Sequence, residues 1–80
     1  MNLNETIINL VRGGYIVRFE KLSSFVIEVL VSNGRFFTVK GIDVTIGISD
    51  ENLCALLERM KEEVDCQDLK YRKEKHNGSN

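Results

Sequence analysis

The sequence predicts a small two-layer α+β domain of order α-β-β-β-α, an antiparallel three-stranded sheet with two helices on one face. Three observations carry this. Apolar residues recur at helical spacing near both ends of the first 66 residues, strand-type runs fill the middle, and glycines fall at the junctions. Two amphipathic helices and one sheet bury their apolar sides most simply by stacking in two layers.

The first helix is read from Leu3, Ile7 and Leu10, joined by Ile8 and Val11. Asn4 or Asn2 is a suitable cap, because a short side-chain oxygen accepts a hydrogen bond from an otherwise orphan amide. With Asn2 as the cap, Glu5 falls at the third helical position, close to a capping box. Gly13-Gly14 ends the helix, since glycine takes the left-handed closing conformation at little cost.

Residues 15–20 are rich in β-branched and aromatic types and read as a strand. Residues 21–24 read as a turn, and residues 25–31 as a second strand with Phe25, Ile27, Val29 and Val31 on one face. Asn33-Gly34 marks a hairpin into a third strand over 35–40. A two-residue loop sets Val31 opposite Phe36 and Val29 opposite Thr38. A three-residue loop, Ser32-Asn33-Gly34, sets Val29 opposite Phe37 and Ile27 opposite Val39. Burial favours the second, because a one-residue slip moves every side chain to the other face. The outer face then carries Ile16, Val26, Leu30 and Phe36. Residues 41–48 alternate apolar and small or polar types, which fits either a short fourth strand or an extended connection.

Ser49 caps the second helix, with Asp50 and Glu51 in its first turn at the positive end of the dipole. Leu53, Leu56, Leu57, Met60 and Val64 lie in one arc roughly 100° wide and form its core stripe. The helix is expected to fray near 65–68. The domain therefore covers residues 1–66, and 67–80 is a disordered polar tail that buries too little to fold alone.

Eighty residues hold one domain with a marginal core. Residues 1–66 carry seven Lys/Arg against ten Asp/Glu, and residues 67–80 carry four against two. The folded part is thus mildly acidic, which weighs against a general nucleic-acid binder. Cys54 and Cys66 fall on one helix, roughly 18 Å apart by helical rise, beyond the reach of a disulfide. Free thiols, together with the lack of a signal-peptide pattern or an apolar run long enough for a bilayer, point to the cytoplasm and to no membrane contact.

No catalytic, cofactor-binding or metal-binding set is found. His76 stands in the polar tail, away from any nucleophile it could serve. The cysteines lack zinc spacing, and the glycines match neither a phosphate loop nor a dinucleotide fingerprint. A non-enzymatic, cofactor-free protein is expected.

The most informative pattern is on the second helix. With Asp50 at zero, Glu51, Glu58, Glu62 and Asp65 fall at roughly 100°, 80°, 120° and 60°, and the core stripe centres near 290°. Outward acids are what any solvated helix carries. A line of four also suits a basic groove on a partner, so these residues are one candidate protein-binding site, and the partly apolar outer sheet face of Ile16, Val26, Leu30 and Phe36 is the other.

The α-β-β-β-α order is similar in topology to the double-stranded-RNA-binding domain. That resemblance implies a lysine cluster at the start of the second helix, where this chain has Ser49-Asp50-Glu51-Asn52. Carboxylates there would repel the phosphates that supply most of the affinity. In size, acidity and lack of enzyme motifs the chain resembles small accessory proteins of phages and mobile elements, including anti-CRISPR inhibitors. That resemblance implies a protein partner and an inhibitory role. Nucleic-acid binding through the sheet or the basic tail (Lys70, Arg72, Lys73, Lys75), and a homodimer closing its own sheet face or edge, are the alternatives.

Overall fold

The computed structural model describes the backbone of residues 2–78 and the side chains of residues 2–74. Its elements follow the expected order: α1 (Leu3–Arg12), β1 (Ile16–Lys21), β2 (Val26–Ser32), β3 (Phe37–Asp43) and α2 (Asp50–Gly78). The strands form one antiparallel sheet in the order β1-β2-β3. Leu10 of α1, Val29 and Val31 of β2, and Leu57, Met60 and Val64 of α2 make the buried core. Both helices therefore press on the same side of the sheet.

Asn2 caps α1, its Oδ1 accepting from the Glu5 amide at 2.8 Å. Gly14, at φ +93°, turns the chain out of the helix, a conformation that a residue with a Cβ adopts only under strain. Ser49 caps α2 through the Asn52 amide at 3.1 Å. Of the expected stripe, Leu57, Met60 and Val64 are fully buried, while Leu53 and Leu56 are half-buried.

The hairpin register differs from both expected forms. Ser32 stands opposite Phe37, Val29 opposite Lys40 and Ile27 opposite Ile42, leaving a four-residue loop over 33–36. The Asn33 side chain sets that loop, its Oδ1 accepting the amides of Arg35 at 2.9 Å and Phe36 at 2.8 Å. Phe37 and Val39 consequently turn to the open face, and Thr38 and Lys40 to the helix side. Glu63 of α2 makes this favourable, taking a hydrogen bond from Thr38 at 2.9 Å and an ion pair from Lys40 at 3.3 Å. Phe36 leaves the strand and packs against the core.

Segment 41–48 resolves into the end of β3 and a turn, closed by the Gly47 amide on the Val44 carbonyl at 3.0 Å. There is no fourth strand among the described residues.

The second helix does not fray at 65–68. It continues to Gly78 through most of the segment expected as a disordered tail, and residues 79 and 80 lie outside the described part. The hairpin loop holds the helix past 68, as far as Tyr71. Asn33 donates to Asp68 at 3.2 Å, Phe36 meets Tyr71 edge-on at 5.6 Å between centroids, and the Arg35 guanidinium sits 5.4 Å from the Tyr71 ring centre. Periodicity alone could not show these contacts across the fold.

No described helix is long and apolar enough to cross a membrane.

Candidate interaction surface

The register fixes what the uncovered side of the sheet presents. Across the strands, one row is Ile16, Ser32 and Phe37, and the next is Arg18, Leu30 and Val39. Then follow Glu20, Glu28 and Gly41, with Val26 beside Asp43 at the far end. One half is mainly apolar and the other acidic. Ile16 is 47% exposed, Phe37 61% and Val39 37%. Of the expected outer residues, Ile16, Val26 and Leu30 keep that place. Phe36 does not, and Phe37 with Val39 takes it over through the shift of register.

The acidic line on α2 is only partly brought together. Glu51, Glu58 and Glu62 are exposed. Asp65 is half-buried on the flank facing the start of β1, where it accepts hydrogen bonds from the Tyr15 hydroxyl and, at 3.0 Å, from Lys61. Burial alone would raise the Asp65 carboxyl, but the bonds from Tyr15 and Lys61 outweigh it and hold the group below the usual carboxylate range. The same bond raises the Tyr15 phenol, with burial adding to it, and Asp65 raises the Lys61 ammonium. Tyr15 and Asp65 stand fifty residues apart in sequence, so no spacing rule could pair them. Glu63 is likewise held low, first by the Thr38 hydroxyl and then by Lys40.

Cys54 is half-buried and accepts a hydrogen bond from the buried Thr6 hydroxyl at 3.2 Å; Cys66 is exposed, and both are free thiols. The basic residues Lys70, Arg72 and Lys73 are exposed on α2, and Arg72 pairs with Asp68 at 3.4 Å. The side chains of Lys75 and His76 lie outside the described residues.

The arrangement defines a compact α-β-β-β-α domain with an open-faced sheet. No protein-family model matches the chain, and no characterised protein or solved structure matches it significantly.

Proposed function

We propose that this chain is a non-enzymatic interaction module that binds another protein through the open face of its sheet. The observation that carries it is the two adjoining rows around Leu30 and Ser32, where Ile16, Phe37 and Val39 stand in solvent on the side away from both helices. Contiguous apolar surface of this kind marks contact sites. Glu20, Glu28 and Asp43 make the other half of the same face acidic, so the matching partner is apolar at one end and basic at the other. A groove built to hold a nucleic-acid backbone has that basic end. Inhibition of a nucleic-acid-processing protein is the role within this class that best suits the face.

The test compares partner capture from host extract by three proteins: the unaltered chain, Phe37→Lys with Val39→Lys, and Glu51→Lys with Glu58→Lys and Glu62→Lys. The sheet variant is expected to lose the partner and the helix variant to keep it. The reverse outcome moves the site to α2.

A second reading, nucleic-acid binding, rests on Arg35, which lies against Tyr71, and on the exposed basic residues Lys70, Arg72 and Lys73 of the same helix. It requires a gel shift that weakens steeply with salt, because phosphate contacts release counterions. No shift at low salt removes it.

A further inference from the structure

The two edges of the sheet are not alike. On β3 the Phe37 carbonyl receives the Gln67 side-chain amide at 3.5 Å, Lys40 points inward to Glu63, and Gly41 interrupts the apolar run. Inward charges and covered backbone are the usual devices that keep an edge from pairing. On β1 no side chain bonds to the outer backbone among the described residues, and the one helix-side charge, Lys21, stands at the end of the strand. The Leu22 amide bonds to the Val26 carbonyl at 3.0 Å, so the even-numbered residues of β1 turn their backbone groups toward β2. Val17, Phe19 and Lys21 turn theirs outward. Apolar side chains flank this strand on both sides: Phe19 is 44% exposed on the helix side, and Ile16 is 47% exposed on the open side.

The charges on the open face add a second, independent observation. Glu20 stands directly opposite Glu28, and like charges in that relation are destabilising. Neither carboxylate has an ion-pair partner among the described residues, and neither does Arg18.

We propose that β1 pairs antiparallel with β1 of a second copy, about a twofold axis at Phe19, joining two three-stranded sheets into one continuous sheet. An isologous contact requires each residue to exchange roles with its opposite number, and directly opposed residues must lie on the same face. Two central registers satisfy both conditions. An axis at Arg18 sets Arg18 against Arg18 and Ile16 against Glu20. An axis at Phe19 sets Arg18 against Glu20 twice, Phe19 against Phe19, and Ile16 against Leu22, itself 54% exposed. On the open face the second register matches charge with opposite charge and apolar with apolar, while on the helix side it sets Val17 against Lys21. It brings a cation beside the Glu20–Glu28 pair, and it joins the outward backbone groups of Val17, Phe19 and Lys21 to their equivalents. Ile8 and Val11 of α1, the helix packed over β1, are exposed as well. The open face doubles in width, whatever partner it serves.

The experiment is light scattering on the full chain over a wide concentration range, with circular dichroism confirming the fold of each variant. The unaltered chain is expected at twice its 9.2 kDa mass. Arg18→Glu and Glu20→Arg each set like charges across the junction and are expected to weaken the dimer about tenfold or more. Glu20→Arg also removes the Glu20–Glu28 repulsion, so that variant stays folded while it dissociates. The double variant Arg18→Glu with Glu20→Arg restores opposite charges and is expected to restore the dimer. A strict monomer, a dimer indifferent to either single reversal, or a double variant that stays monomeric would overturn the proposal.

Discussion

The hydroxyl of Tyr15 donates a hydrogen bond to Asp65, tying the entry of β1 to the flank of α2, and Lys61 closes on the same carboxylate at 3.0 Å. Lys61 also lies 5.3 Å from the centre of the Tyr15 ring. Three side chains thus share one polar contact at the margin of the core, and they withdraw Asp65 from the acidic line on the outer helix face.

Tyr15→Phe keeps the ring and removes the hydroxyl. A hydrogen bond to a charged group contributes about 1.5–3 kcal/mol when well shielded. Asp65 is 43% exposed, so solvent screening reduces this to about 1 kcal/mol. A thermal melt should show Tm lower by about 4–8 °C, the usual scale for a domain of this size.

The same contact sets a pH dependence. Asp65 and Glu63 are held below their usual values, so their stabilisation is complete above the ordinary carboxylate range and fades as pH falls through the lowered values. Tyr15 and Lys61 are raised, so their share is complete below their ordinary values and is lost as pH rises through the raised ones. The Tm difference between the unaltered chain and Tyr15→Phe should be flat near neutrality and shrink toward both extremes. A difference that persists in strong acid would rule out the charged hydrogen bond as its source.

Much of the fold was legible in the chain itself. Asn2 and Ser49 cap the helices as their types require, Gly13-Gly14 closes α1, and Leu57, Met60 and Val64 form the buried stripe. The hairpin register was not legible, because it turns on Asn33 bonding two amides of its own loop and on Glu63 reaching across from α2. The length of α2 was hidden for a similar reason. Its polar end reads as unable to fold alone, and it is Asn33, Arg35 and Phe36 that give it contacts. The open apolar face was foreseen for Ile16, Val26 and Leu30, and the slip of register exchanged Phe36 for Phe37 and Val39.

Tyr71 should hold the far part of α2 against the hairpin. Tyr71→Ala removes the edge-on contact with Phe36 and the stacking of Arg35, together about 1–2 kcal/mol. Hydrogen exchange should quicken at residues 67–74 and in the loop 33–36, with residues 53–64 little changed.

Met60 is fully buried between the helices and the sheet. Met60→Ala should cost about 2–5 kcal/mol, a large share of the total stability of so small a domain. Urea unfolding should show a much lower midpoint with a similar slope.

The most direct measurement is carbene footprinting of the chain alone and with its captured partner, read by mass spectrometry. Labelling is expected to fall at Ile16, Phe37 and Val39 on the open face and to stay unchanged at Glu51, Glu58 and Glu62 on α2. Protection of those three glutamates with the sheet face still labelled would contradict a binding role for the sheet.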